Sequence, residues 1–332
     1  MFSFFSKPKS ITSTSVTKSS SSPLLQDVIM SSVPRSNSLE YSTGVFPGAQ
    51  GCVVVPSLIV MNRQGARNKE YVTKIFVDEE SYIAEKKIDA FVKQIDPTQQ
   101  FTNVKYNENP INLGLLTDED IKNCANIIGT RQELAGKKYL NYEYLGKSLH
   151  TIRAFQIPIR ITDAQSILFG LSKLAVKLWS MNSGKIGGVQ IFHNDSHAGN
   201  IMYNYDKETV YLIDFGIATI NNPKNKDEFI DILKLTETIN LFVDYIATSV
   251  VLGEKQGLAI TKFREFVIKN NLKRYAPVSK STPRNFTAEQ IIEEIQKLAS
   301  GFSESGGRKR KTKKKSVKKH KTLRKKLYGK MH

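Results

Sequence analysis

The sequence predicts an α+β fold, with short strands concentrated in the first half of the chain and helices in the second. Three observations carry this. Tyr71–Phe76 (YVTKIF) alternates as a strand does, with one lysine in its middle. Asp163–Ser180 sets Ile167, Leu168, Leu171, Leu174, Ala175, Leu178 and Trp179 at helical spacing, a core helix in which Trp179 reads as packing. Between them in character lies Gly188–Gly216, where Ile201–Tyr205 and Thr209–Ile213 flank Asp206-Lys207-Glu208 as the arms of a hairpin.

In chain order, residues 1–40 are Ser-rich with no acid before Asp27, which predicts a disordered arm. Tyr41–Pro56 (YSTGVFPGAQGCVVVP) carries Gly48 and Gly51 at a turn, with Val53 just beyond. Glycines there let backbone amides approach phosphate oxygens. Asn62–Lys69 reads as a polar insertion before the Tyr71 strand. Glu79–Ile95 is helical in pattern, with Glu85 on the face of Ile88 and Val92, whereas Glu79 and Glu80 suit the helix start. An inward glutamate needs a cation, and Lys74 is the candidate, with Lys69 and Lys87 as competitors. Thr117–Asn123 and Arg131–Lys137 are polar helix and loop. Tyr139–Gly146 reads as a strand ending in a turn. A helix is expected over Phe229–Phe242, and Thr287-Ala288-Glu289-Gln290 opens a last one as a capping box.

The chemistry concentrates in the polar loop before the hairpin. Val189–Phe192 is apolar, and then come His193, Asn194, Asp195, Ser196, His197 and Asn200. A hairpin with Asn200 before its first arm and Asp214 after its second brings an amide oxygen and a carboxylate to one end. Such oxygens suit a hard cation. Asp195 then lies near that cation without binding it, placed to accept a proton from a hydroxyl. His193 and His197 lack a third His or Cys nearby, so a transition-metal site is not expected.

This loop resembles the H-x-D-x-x-x-x-N catalytic loop of the protein-kinase-like superfamily, and Asp214-Phe215-Gly216 resembles its D-F-G. The resemblance implies a bilobal fold: a small antiparallel-sheet lobe with one helix (about 41–140), a hinge (about 142–147) and a mainly helical lobe (about 148–300). It implies ATP as donor, Asp195 as base, and Mg²⁺ held by Asn200 and Asp214. Gly48, Gly51 and Val53 match the end of the glycine-rich loop, whose first glycine is replaced by Phe46. Lys74 resembles the strand lysine that pairs with phosphates and with a helix glutamate, here Glu85. Glu143 and Leu145 would offer the hinge contacts to adenine, with Tyr142 as gatekeeper. Asp231 resembles the helix aspartate that braces the catalytic loop.

Departures from the pattern bear on the acceptor. No A-P-E follows Asp214, and only Gly216–Glu228 precedes the next helix. Asn194 replaces the arginine that pairs with an activation-loop phosphate, and His197 stands where Ser/Thr kinases have lysine. The implied activity is phosphoryl transfer to Ser or Thr on protein. A small-molecule kinase of the aminoglycoside or choline type, and a kinase-shaped virion or nucleic-acid-binding protein, are the alternatives. The Ser-rich start and Lys-rich end around a minimal core are similar in style to kinase-like proteins of giant DNA viruses.

The charge of the 332-residue chain is +18, yet the fourteen Lys and Arg of 308–330 account for most of it and leave +4 for the remainder. After a linker at 301–307, residues 308–332 read as a disordered tail, whose run at 308–326 has no interleaved aromatics. It suits non-specific nucleic-acid phosphates or nuclear import machinery. Cys52 and Cys124 are too few for a disulfide framework and suit a reducing, intracellular compartment. No apolar run reaches the ~18 residues of a spanning helix.

Overall fold

The computed structural model describes residues 44–48, 51–58, 67, 69–96, 117–119, 121–122, 124, 129–134, 136–185, 188–221, 227–272 and 284–303. The expected Ser-rich arm, the 308–332 tail and most of the Asn62–Lys69 insertion lie outside them.

The first lobe is a four-stranded antiparallel sheet in the order β1 (Gly44–Gly48), β2 (Gly51–Val55), β3 (Tyr71–Phe76) and β4 (Tyr139–Glu143). Gly48 pairs with Gly51 across the β1–β2 turn, and Phe46 pairs with Val53. Gly51 is required by its neighbour strand as well. A Cβ there would sit 2.2 Å from the Ile75 carbonyl oxygen, so only glycine permits β2 and β3 to approach this closely. Register sets Val53 opposite Lys74, and Lys74 opposite Leu140, which puts these three on one face of the sheet. Cys52, Val54 and Ile75 take the other face and pack with Leu58, Cys124 and Leu134 in a small separate core.

Against this sheet lies α1 (Glu79–Ile95), opened by Asp78, whose side chain accepts from the Ser81 N–H. Its boundaries are those expected, and its buried residues include Glu85, Ile88 and Val92. Beyond its end, the buried Asp96 accepts from Lys177 Nζ at 2.7 Å, tying the first lobe to a helix of the second. Cys52 and Cys124 are joined as a disulfide with a Cα–Cα distance of 6.0 Å. Their number alone had suggested reduced thiols. The pairing arises because β2 and the short segment at 121–124 cover the same small core.

After a helical turn α2 (Arg131–Leu134), strand β4 leads through Gly146 into β5 (Lys147–Ser148) and α3 (Leu149–Ala154). The second lobe is then α4 (Ile161–Asn182), β6 (Ile191–Phe192), β7 (Ile201–Asn204), β8 (Thr209–Leu212), β9 (Thr219–Ile220), α5 (Ile230–Ser249), α6 (Glu254–Lys269) and α7 (Ala288–Phe302). Helix α4 is longer than expected because Asp163 bonds back to the Arg160 N–H and guanidinium, a side-chain cap that apolar periodicity does not register. Helix α5 runs past Phe242 to Ser249, since Asp244 points outward to Arg264 and interrupts nothing. Helix α6, not among the expected elements, buries Ile260, Phe263 and Val267 at helical spacing. Helix α7 takes in Gly301 and Phe302, which the linker was expected to begin. The main core joins α4, α5, α6 and α7 to the β7–β8 hairpin and to Ile88 and Val92 of α1. Trp179 packs as expected, stacked on Phe229 with its indole N–H donating to Glu289.

Candidate active site

The loop between β6 and β7 is held from beneath by one carboxylate. Asp231, fully buried in the first turn of α5, accepts the His193 N–H at Oδ2 (2.7 Å) and the Asn194 N–H at Oδ1 (2.7 Å). Asn182 of α4 donates to the same Oδ2, and the Ser196 hydroxyl donates to the Asp231 carbonyl. Two consecutive amides aimed at one carboxylate force a tight bend, and Asn194 adopts φ +63° at its apex. The Asn194 amide lies within hydrogen-bond reach of the Phe192 and Ile217 carbonyls and the Thr219 hydroxyl. In place of an arginine awaiting a phosphate, the residue is spent on stitching the loop to the segment after Asp-Phe-Gly.

His193 is fully buried. Its Nε2–H donates to the Ile213 carbonyl (2.9 Å), while Nδ1 accepts from the Asp195 N–H (3.2 Å). Both contacts need the neutral ring, and burial lowers its pKa against the pull of Asp231. Phe215 of the Asp-Phe-Gly turn meets the same ring edge-on at 4.6 Å, so the turn and the loop share one anchor.

The hairpin brings Asn200 and Asp214 to the same end, where the Ile213 N–H donates to the Asn200 carbonyl at 2.9 Å. The Asn200 side-chain amide donates to the Asp195 carbonyl at 3.0 Å and lies 3.2 Å from Asp195 Oδ2. That use of its nitrogen leaves Oδ1 to meet a cation. Asp214 takes φ +64° and its side chain is 43 % exposed. One amide oxygen and one carboxylate fit Mg²⁺, which commonly completes its shell with water and substrate phosphate. Among the described residues no cluster of three or more His, Cys, Asp or Glu could hold a metal alone.

Lys74 of the sheet meets this pair at Asp214. Its ammonium lies 2.6 Å from Glu85 Oε2 and 2.7 Å from Asp214 Oδ1. Burial works against that charge, but the two carboxylates outweigh it and raise the Lys74 pKa. Burial likewise favours neutral Asp214, and Lys74 reverses it and keeps the carboxylate ionised. Of the three lysines weighed, Lys74 is the one on the right face, and of the glutamates it meets Glu85. The Tyr142 hydroxyl donates to the other Glu85 oxygen at 2.5 Å, a positioning role that its reading as a gatekeeper did not include.

Val53 shares the Lys74 face of the sheet, above the cleft. Tyr144 N–H bonds back to Glu70 of the β3 side, so by strand alternation the main-chain groups of Glu143 point to the free edge of β4. The Glu143 side chain pairs with Lys207 of the hairpin turn, and Leu145 is buried. Gly48 is described only as backbone at the end of β1.

Asp195 itself is half-buried and surrounded by donors: Lys234 Nζ at 3.1 Å from Oδ1, and His197 Nε2 at 3.3 Å from Oδ2. Burial would raise its pKa, but His197 and Lys234 outweigh burial and hold the carboxyl well below its usual range. Lys234 was not among the residues expected. The sequence signal for it is slight: it lies three residues after Asp231, hence on the same helix face.

Residues 131–241 match the model of the ABC1 atypical kinase-like domain, about a third of the chain. No curated protein matches the sequence. Among solved structures, the kinase domain of Mycobacterium tuberculosis PknI, a point mutant, aligns at 13% identity and TM-score 0.39, covering 77% of this chain and 94% of that one. The Cydia pomonella granulovirus kinase PK-1 aligns at 16% identity and TM-score 0.34, covering 54% of this chain and 55% of that one. Neither is similar enough for its activity to be carried over. The matched segment holds β4, the loop with Asp195 and Asn200, Asp214 and the bracing Asp231, and over these residues the chain is similar to the ABC1 atypical kinase-like domain.

Proposed function

We propose that the protein is an ATP-dependent phosphotransferase that moves the γ-phosphoryl group to a hydroxyl, with Ser or Thr of a protein as the favoured acceptor. The observation that carries this is the meeting of Lys74, Glu85 and Asp214 across the cleft from a braced Asp195. Gly48, Gly51 and Val53 roof the nucleotide, and the Glu143 and Leu145 main chain meets the adenine edge. Asn200 and Asp214 hold Mg²⁺, which when bound neutralises phosphate charge. Lys74 adds a fixed positive charge beside the phosphates.

In the transfer, the acceptor oxygen forms a bond to the γ-phosphorus as the bond from phosphorus to the β,γ-bridging oxygen breaks, releasing ADP. The hydroxyl proton passes to Asp195 and from there to solvent. A carboxylate held as acidic as Asp195 is a weak base. Its contribution is therefore to accept the hydroxyl's hydrogen bond and aim it, with proton transfer late, as a loose transition state allows.

A small-molecule acceptor is the second reading. It is favoured by the short segment after Asp-Phe-Gly, pinned at once by β9 pairing with β6 and leaving little chain to support a peptide. The basic tail at 308–330 would add non-specific binding to nucleic-acid phosphates, or contact with import machinery, under either reading. The test is transfer of labelled γ-phosphate by purified protein to a Ser/Thr peptide library and to a metabolite panel. Transfer should occur with the library and fall by about 10²–10⁴-fold in Asp195→Ala. Transfer only to metabolites would select the second reading. A wild-type protein that labels no acceptor would overturn both.

A further inference from the structure

Lys234 is a cation at the reacting end of the site that no motif assigns. It follows Asp231 by three residues on α5, so both side chains rise from one helix face into the underside of the loop. Lys234 Nζ donates to the Asn194 carbonyl at 2.6 Å and to Asp195 Oδ1 at 3.1 Å. Asp231 meanwhile holds the Asn194 N–H. The peptide units on both sides of Asn194 are therefore fixed from α5, one by a carboxylate and the next by an ammonium. This matters because Asn194 sits at φ +63°, a conformation that costs a non-glycine residue ~1 kcal/mol and must be held by its surroundings.

Asp195 follows directly. Its Oδ2 faces His197 and Asn200, both on its own loop, and its Oδ1 faces Lys234. Among the described residues, the other side-chain partners of this carboxylate, His197 and Asn200, move with the loop. Lys234 is the link from that carboxylate to the helical core, and its side chain is four-fifths buried.

We propose that Lys234 is a positioning residue for phosphoryl transfer: it sets the rotamer of Asp195 and the bend at Asn194, so that the carboxylate faces the acceptor hydroxyl. This rests on reading Asp195 as the group that receives that hydroxyl. It predicts a larger effect on turnover than on nucleotide binding, because Lys74 and Asp214 do not touch Lys234 and the Asn200 amide keeps its bond to the Asp195 carbonyl whatever the Asp195 rotamer.

The experiment uses the full chain with Lys234→Met, which keeps the length and apolar stem, and Lys234→Arg, which keeps the charge. In Lys234→Met, kcat should fall about 10–100-fold, as misplacement of a reacting group does, while KM for Mg-ATP stays within about threefold. Lys234→Arg should recover much of the loss. An unchanged kcat in Lys234→Met would overturn the proposal. So would equal losses in both variants, or a rise in KM for ATP with kcat preserved. A second measurement stands apart from activity: in crystals of Lys234→Met, Asp195 should leave the position it holds here. An unmoved Asp195 would overturn the proposal even if turnover fell. A wild-type protein that transfers nothing would remove the phosphotransferase reading, and the displacement of Asp195 would then decide the contact on its own.

Discussion

The two sides of the cleft are built differently. On the helical side, Asp231 holds the loop through backbone amides, fully buried and with every contact inside one lobe. On the sheet side, Lys74 is held by side-chain charges from two elements, Glu85 on α1 and Asp214 beyond β8. The first arrangement is part of the fold and exists once the lobe has packed. The second spans the lobes and exists only while α1, β3 and the Asp-Phe-Gly turn stand in one arrangement. The lesson is a division of labour: the loop proposed to aim the acceptor is fixed by the core, and the lysine proposed to meet phosphate is fixed by contacts that span the two lobes.

That contrast is open to breaking. The largest effect is expected from Asp231→Ala, which strands two buried N–H groups and takes one of the two bonds of the Asn182 amide. At about 1–3 kcal/mol for each orphaned N–H, a loss of about 2–6 kcal/mol should appear in denaturant unfolding, with turnover abolished. A stable, active variant would show that the loop does not depend on this brace. Next, Asp214→Asn should leave the unfolding free energy within about 1 kcal/mol of wild type, since Lys74 keeps Glu85. It should raise the Mg²⁺ requirement for nucleotide binding strongly, measured by titrating Mg²⁺ at fixed ATP. Equal Mg-ATP affinity in both proteins would remove Asp214 from the metal site.

Smaller is Tyr142→Phe. It removes a hydrogen bond to a charged group, worth about 1.5–3 kcal/mol at most, and frees Glu85 to turn from Lys74. Turnover should fall several-fold and the unfolding free energy by no more than that figure, and a variant indistinguishable from wild type would show that Lys74 alone holds Glu85. The smallest effect is that of pH on His193. The folded ring is neutral with a lowered pKa, whereas an unfolded imidazole takes its proton near 6.5. Stability from this group is therefore present above about pH 6.5 and lost as pH falls further. Thermal melts from pH 7.5 to 5.5 should show a steeper decline in wild type than in His193→Gln. Parallel declines would place the acid sensitivity elsewhere.

Much of this was readable before any fold was built. Asp195, Asn200 and Asp214 lie within one hairpin, where spacing alone brings them together, and α1 was delimited by its apolar stripe and the acids of its first turn. Glu85 was distinguishable from Glu79 and Glu80 by phase against Ile88 and Val92. The choice of Lys74 over Lys69 and Lys87 was only a preference, because strand alternation says which face a lysine takes but not what stands opposite. Gly51 carries two meanings in the sequence, phosphate approach and strand approach, and only the Ile75 carbonyl at 2.2 Å exposes the second.

By itself, then, the sequence determined what local periodicity can encode: the strands of period two, the helix faces of period 3.6, and a loop whose polar residues fall within a few bonds of one another. Tertiary structure decided the contacts that join distant segments. Tyr142 to Glu85, Lys177 to Asp96, Cys52 to Cys124 and Lys234 to Asp195 each depend on how two elements pack. Packing is set by the summed burial of many apolar side chains, which leaves no mark at the residues that meet because of it.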